Sequence, residues 1–149
     1  MDKDPFFLDV KKFADGFSEG AETAVRVTAY KTFNNIIKRT PVDEGRARAN
    51  WFATGQQPSS KKTDKEDNSA DGKDTAKNAE NVVLRLKDWS TFTLTNNLPY
   101  INPLEFGLYG SGPKTVLGFS SQSVGGMVRI SILQSNMLLE QEAKKYLPK

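Results

Sequence analysis

Thr28-Ala29-Tyr30-Lys31-Thr32-Phe33-Asn34-Asn35-Ile36-Ile37-Lys38-Arg39-Thr40-Pro41 is the stretch on which the fold turns. It continues a series of apolar and small residues that starts at Phe6 and runs through Val10, Phe13, Phe17, Ala21, Ala24 and Val25 to Thr28 and Phe33. Steps of three and four residues place these side chains on one face of a helix. Asp4 followed by Pro5 supplies a start: an acceptor for the first amides, then a ring whose φ already suits a helix. Lys38 and Arg39 suit the negative end of the helix dipole. Pro41 stops the run, because the residue before a proline is pushed out of helical geometry. The pattern predicts one long helix over 4–39. Gly16 and Gly20 each weaken it by up to about 1 kcal/mol relative to Ala, so a break or kink is expected between its halves.

Downstream, Asp43-Glu44-Gly45 suits a turn. The next residues predict a turn through Arg48 and a strand near Asn50–Thr54. The tract from Lys61 to Asn78 carries five lysines and five acidic residues, with only Ala70 and Ala76 as aliphatic side chains. Such a composition does not offset its ordering entropy by burial. It predicts an exposed, mobile loop over 55–78. A second helix is predicted over 75–88, capped by Asp74 or Thr75, with Ala76, Ala79, Val82, Val83 and Leu86 on one face. Ser90–Asn96 alternates apolar and polar residues as a half-buried strand does, with Phe92 and Leu94 facing one way. Pro99 to Gly107 suits one short helical turn with Leu104 and Phe106 inward. Residues 107–126, with six glycines, predict a second long loop. From Ser123 to Tyr146 the pattern fits a helix, or a strand passing into a helix, since Val128–Leu133 is rich in β-branched residues. The sum is an α+β fold in a single domain over 1–149. Its long N-terminal helix packs on a small, mostly antiparallel sheet, with further helices and two long flexible loops.

Composition narrows the chemistry. The 149 residues include no His and no Cys. Ser-His-Asp and Cys-His catalysis within one chain, disulfides and Cys/His zinc sites are therefore excluded. A metal held by carboxylates alone is not. The net charge is +3, spread as +1 over 1–60, zero over 61–78 and +2 over 79–149, so no block forms a basic stripe. No apolar run approaches the roughly 18–20 residues of a membrane span. The charged start Met1-Asp2-Lys3-Asp4-Pro5 does not read as a secretory leader, and a host cytoplasm is the expected place of synthesis. Gly110-Ser111-Gly112-Pro113-Lys114-Thr115 has Lys-Thr but lacks the spacing of a phosphate-binding loop. No cofactor is expected.

Four segments, in order, carry a functional signal: Thr40-Pro41-Val42-Asp43-Glu44-Gly45-Arg46-Ala47-Arg48-Ala49-Asn50-Trp51, Thr95-Asn96-Asn97-Leu98-Pro99-Tyr100-Ile101, Leu104-Glu105-Phe106-Gly107 and Gly126-Met127-Val128-Arg129. Together they resemble a family of tailed-bacteriophage neck and tail-completion proteins, the tail components of lambda-like long-tailed phages. The resemblance covers roughly residues 20–135. Glu44 stands where Thr or Ser is usual in that family, a change a turn tolerates. Ser123-Val124-Gly125 replaces the usual Ala-Pro ahead of the Gly-Met-Val segment. The resemblance implies a structural virion protein, not an enzyme. It implies a ring, sixfold by expectation, that joins tail to capsid connector and lets double-stranded DNA pass. Its neighbours would be the head–tail connector and the tail terminator or tail tube, and its place the virion, after assembly in the host cytoplasm.

The residues themselves leave alternatives open. Arg46 and Arg48 are surface cations, or pair across a subunit boundary, or line a channel facing DNA; guanidinium forks suit carboxylates and phosphates alike. Glu105 is a solvated carboxylate or a partner across such a boundary. Trp51 and Tyr100 are core anchors or contact residues. The competing function is a nucleic-acid-binding module using Arg46, Arg48 and Trp51. A third is a metal-dependent nuclease using Asp43, Glu44 and Glu105.

Overall fold

The computed structural model describes the backbone of residues 5–148 and the side chains of residues 15–148. The cap expected of Asp4 and the faces of Phe6, Val10 and Phe13 lie outside the described residues. Helix α1 runs Pro5–Arg39 and α2 runs Arg46–Ala49. Strand β1 (Phe52–Thr54) follows, then irregular chain, a 3-10 turn at Ala70–Gly72, and helix α3 (Lys73–Arg85). Next come β2 (Thr93–Thr95), α4 (Ile101–Phe106), β3 (Thr115–Val116), β4 (Phe119–Ser120) and α5 (Val128–Tyr146). The class is α+β, as the sequence predicts. The sheet is two separate antiparallel pairs, β1–β2 with Phe52 opposite Thr95, and β3–β4 with Thr115 opposite Ser120.

The core gathers on the C-terminal half of α1. Phe33, Ile36 and Ile37 pack with Ala47 and Trp51, with Ala79 and Val83 of α3, with Leu98, Ile101 and Leu104, and with Met127 at the start of α5. Burying one such large side chain is worth about 1.5–3 kcal/mol, so this cluster fixes where the other elements sit. The predicted α3 face is present in Ala79 and Val83, and Thr75 joins it. Arg26 of α1 donates to the Val83 carbonyl at 2.5 Å, closing one of the open carbonyls at the end of α3.

The main partner of α1 is α5, which runs antiparallel to it, with Tyr146 beside Gly20 and Gly126 beside Arg39. Gly16 and Gly20 do not break α1, which is one continuous helix. Gly20 has another purpose. A Cβ built there would lie 2.1 Å from the Tyr146 carbonyl oxygen, so only glycine admits the end of α5 this close. Further along the seam the buried residues are small or polar: Ala24 and Thr28 on α1, Ser131 on α5. Thr28 and Ser131 donate their hydroxyls to carbonyls of their own helix, Ala24 and Met127, which leaves no polar group open in the seam at those positions. Glu142, only 1% exposed, accepts from Lys31 across the seam at 2.5 Å and from Lys145 at 3.4 Å. Its carboxyl is held below its ordinary pKa first by the Lys31 hydrogen bond, against the opposing effect of burial.

Several expectations need correction. The segment 55–78 is irregular only up to Ser69, after which the 3-10 turn and α3 begin. It is also pinned. Asn50 accepts from the Thr63 amide and donates to the Thr63 carbonyl, each at 2.9 Å; Asn97 donates to the carbonyls of Ser59 and Lys61; and the Asp67 amide donates to Gly45. These bonds supply what apolar burial does not. Neither Asp74 nor Thr75 caps α3. Buried Asp67 does so from outside the helix, accepting from the Thr75 amide at 3.0 Å and from the hydroxyls of Ser69 and Thr75. The stretch 107–126 contains the β3–β4 hairpin, turned at Leu117 and Gly118, both at positive φ. Val128–Leu133 is helical throughout, so β-propensity yields to the packing of α5 on α1. Phe106 is half-exposed rather than inward.

The two glycines of α1 provide a test with opposite signs. Gly20→Ala drives a methyl into the Tyr146 carbonyl and is expected to cost about 1–3 kcal/mol. Gly16→Ala meets only Pro148 Cγ at 3.8 Å and is expected to be neutral, or stabilising by up to about 1 kcal/mol. Urea unfolding of both variants against the parent checks this. Equal shifts of the midpoint in the same direction contradict the packing role of Gly20.

Candidate functional site

The four motif segments fold into two adjoining nodes, one at the end of α1 and one at the start of α5. At the end of α1 the unpaired groups are the last carbonyls. Arg48 meets them: its Nε donates to the Thr40 carbonyl at 3.0 Å and its Nη2 to the Lys38 carbonyl at 2.8 Å. A cation here also opposes the negative end of the dipole. Thr40 is almost fully buried. Its hydroxyl donates to the Ile36 carbonyl at 2.7 Å and accepts from the indole Nε1 of Trp51 at 2.8 Å. Asn96 donates to the Ala47 carbonyl at 2.9 Å, which ties the second motif segment to the first.

At the start of α5 the unpaired groups are amides. No side chain within α5 caps them. Glu105, at the end of α4, turns its buried carboxylate onto them. Oε2 accepts from the Met127 amide at 2.7 Å and the Val128 amide at 2.9 Å, and Oε1 accepts from the Arg129 amide at 2.9 Å. The Arg129 guanidinium folds back, with Nε on Oε1 at 3.1 Å and Nη2 on the Glu105 carbonyl at 2.6 Å. The same guanidinium lies 4.7 Å over the Phe106 ring, which explains why Phe106 is not inward. Burial pushes the Glu105 carboxyl up, but the three amides and Arg129 outweigh it and hold its pKa below the ordinary value. Gly126 makes the approach possible: its φ is +91, and a Cβ there would meet the Glu105 carbonyl oxygen at 2.5 Å. Arg39, the last residue of α1, donates to the Gly126 carbonyl at 3.3 Å and so joins the two nodes.

The candidate residues therefore separate. Arg48, Trp51 and Glu105 are engaged inside the chain. Glu105 is not a solvated carboxylate, because five protein contacts occupy its two oxygens and its own carbonyl. Tyr100 is half-buried against the core, and burial, opposed in part by Arg46, raises its hydroxyl pKa. Arg46 alone turns outward, where Nη2 lies 3.1 Å from the exposed Asp64. Sequence reasoning did not single out Thr40, Arg39, Asp67 or Gly126 as keystones. Thr40 and Gly126 stand within the quoted segments, so their positions were visible and their roles were not. No three carboxylates gather where they could hold a metal ion, among the described residues. Open surface depressions lie beside Asn81, Val82, Arg85 and Leu86 and beside Ala143, Lys144, Leu147 and Pro148; neither is lined by a motif residue.

Glu105→Gln replaces an acceptor by a donor among amides and is expected to destabilise by about 2 kcal/mol at neutral pH. The folded pKa of Glu105 lies below its unfolded value, so its contribution is fully present above the ordinary glutamate range. It is lost as pH falls through the folded pKa. Urea midpoints of parent and variant are therefore expected to converge as the pH is lowered through and below the ordinary glutamate range, while Asp67 and Glu142, also held low, leave a shared acid sensitivity. A constant gap across that window contradicts the assignment.

Compared with known proteins, the chain matches no family model, no curated protein and no solved structure.

Proposed function

We propose that this chain is a structural protein of the phage head–tail connection, forming or completing a ring through which DNA passes. The observation that carries the reading is where the exposed apolar surface lies. Large apolar side chains are exposed on the β3–β4 hairpin, at Val116 and Leu117, and on α5, at Ile132, Leu133, Met137 and Leu139, and so many exposed large apolar residues in one third of the chain favour a protein–protein contact. The resemblance supplies the biological setting. Its motif residues close helix ends against each other, as expected of a shared scaffold rather than of shared chemistry. A nucleic-acid module would use Arg48 and Trp51 on its surface, and both are spent on Thr40 and Lys38. The ring is expected to be cyclic, since a closed channel needs closed symmetry.

Light scattering coupled to size exclusion over a concentration series tests self-association against the 16.6 kDa monomer. A discrete ring-sized species is expected. Virions assembled without the protein are expected to show separate heads and tails by electron microscopy. Joined, infectious particles in its absence overturn the proposal. Duplex DNA binding with a steep salt dependence by the free monomer would instead favour the nucleic-acid module.

A further inference from the structure

Residues 58–66 read Pro-Ser-Ser-Lys-Lys-Thr-Asp-Lys-Glu, and nothing in them is aliphatic or aromatic beyond the proline ring. The segment lies between two fixed ends. Before it, the Gln57 carbonyl accepts from the Thr54 hydroxyl at 2.6 Å. After it, buried Asp67 donates its amide to the Gly45 carbonyl at 2.9 Å and caps α3 with its side chain. Gly45 admits that approach: at φ +85, a Cβ there would lie 2.5 Å from the Asp67 carbonyl oxygen.

Between those ends, Ser59 and Thr63 alone are not exposed. They are also the two residues at which both backbone groups are held by the body of the protein. At Thr63 the Asn50 side chain accepts from the amide and donates to the carbonyl, each at 2.9 Å. At Ser59 the Thr95 hydroxyl accepts from the amide at 3.3 Å, and Asn97 donates to the carbonyl at 2.7 Å and on to the Lys61 carbonyl at 3.1 Å. The two hydroxyls of the segment serve its own bends: Ser59 Oγ accepts from the Lys61 amide and Thr63 Oγ1 from the Lys65 amide, both at 3.1 Å. The segment's one ion pair among the described residues, Asp64 with Arg46, uses a carboxylate 97% exposed and adds little.

The groups that hold the segment are themselves fixed without it. Asn50, fully buried, also donates to the Arg46 carbonyl at 2.8 Å. Thr95 pairs with Phe52 in the β1–β2 ladder, and Asn97 follows Asn96, which is tied to the Ala47 carbonyl and the Leu98 amide. Lifting the segment takes no member out of the core cluster. It gives up a short set of hydrogen bonds that water replaces, and it returns the conformational entropy of the whole segment.

We infer that 58–66 is a detachable strap, latched through its backbone by Asn50 at Thr63 and by Thr95 and Asn97 at Ser59, and that it opens as one unit while the rest of the chain stays folded. Its latch is a site for peptide backbone, built by the first two motif segments, and its occupant is the chain's own strap. The inference is independent of the neck reading.

Hydrogen exchange of the full chain, followed amide by amide by NMR, tests it. The Ser59 and Thr63 amides are expected to be protected, but at least about a hundredfold less than those of Ile37 and Val83, and low urea is expected not to speed their exchange, since local opening exposes little surface. Thr63→Pro removes the amide that Asn50 holds, and Asn97→Ala removes the donor to Ser59 and Lys61. Thr63→Pro is expected to speed exchange at Ser59 by about tenfold, and Asn97→Ala to do the same at Thr63, with Ile37 and Val83 unchanged. Trypsin cleavage after Lys61 and Lys62 is expected to rise in step. Lys62→Ala, which alters a side chain the latch does not touch, is expected to change neither amide. Thr63→Pro lies on the strap itself and carries the test if Asn97→Ala does not fold. Ser59 and Thr63 exchanging as slowly as Ile37, with the same urea dependence, would mean a segment that opens only with the whole protein, and overturns the inference. Exchange at Ser59 unmoved by Thr63→Pro overturns the single unit. Unprotected Ser59 and Thr63 amides in the parent overturn the latch.

Discussion

The carboxylate of Glu105 on the first amides of α5 is the constraint on which the rest of the structure depends. It is buried, it satisfies three backbone donors at once, and its partner Arg129 grips the carbonyl of the same residue. That one side chain sets where α5 begins. Met127, fully buried, is thereby carried into the core cluster, and the antiparallel course of α5 along α1 follows from its starting point. A buried charge is costly unless its lone pairs are filled, and here the filling groups are amides that would otherwise be open.

The same device recurs at the other helix ends. Asp67 closes the start of α3, Arg26 reaches the end of α3, and Arg48 closes the end of α1. In each case the charge has the sign that opposes the helix dipole, and it comes from a different element. Local sequence caps are largely absent: the residues before α2, α3, α4 and α5 make no side-chain capping bond. The helices are thus stitched to one another through their ends. This arrangement lets a small core, confined to one half of α1, organise the rest of the chain. It leaves the outer side of α5 and the tip of the hairpin at Leu117 exposed, while Phe119 packs beside Gly107 at the end of α4.

The long helix, the strand at 93–95 and the short helix around Leu104 were legible because each depends on periodicity or on a stop signal close by. The roles of the motif residues were not. Glu105 and Met127 are separated by more than twenty residues, and nothing local to Glu105 distinguishes a cap from a solvated carboxylate. Asp67 sits in a charge-rich tract where composition points to an exposed loop, yet it is buried by hydrogen bonds rather than by apolar contact. Gly20 reads as a weak point in an isolated helix. Only the presence of the Tyr146 carbonyl turns it into a point of close approach.

The sequence by itself determined the α+β class, the length and stop of α1, and the absence of histidine and cysteine chemistry, because these follow from residue identity and short-range geometry. Tertiary structure alone decided that Arg48, Trp51 and Glu105 serve the fold, and that the glycine-rich stretch forms a hairpin with a leucine at its tip. It also decided that Val128–Leu133 is helix rather than strand. The physical reason is common to all of these. A charged or polar side chain takes its meaning from the unpaired group it finds, and which backbone donor or acceptor is left unpaired is settled only when distant helix ends are brought together.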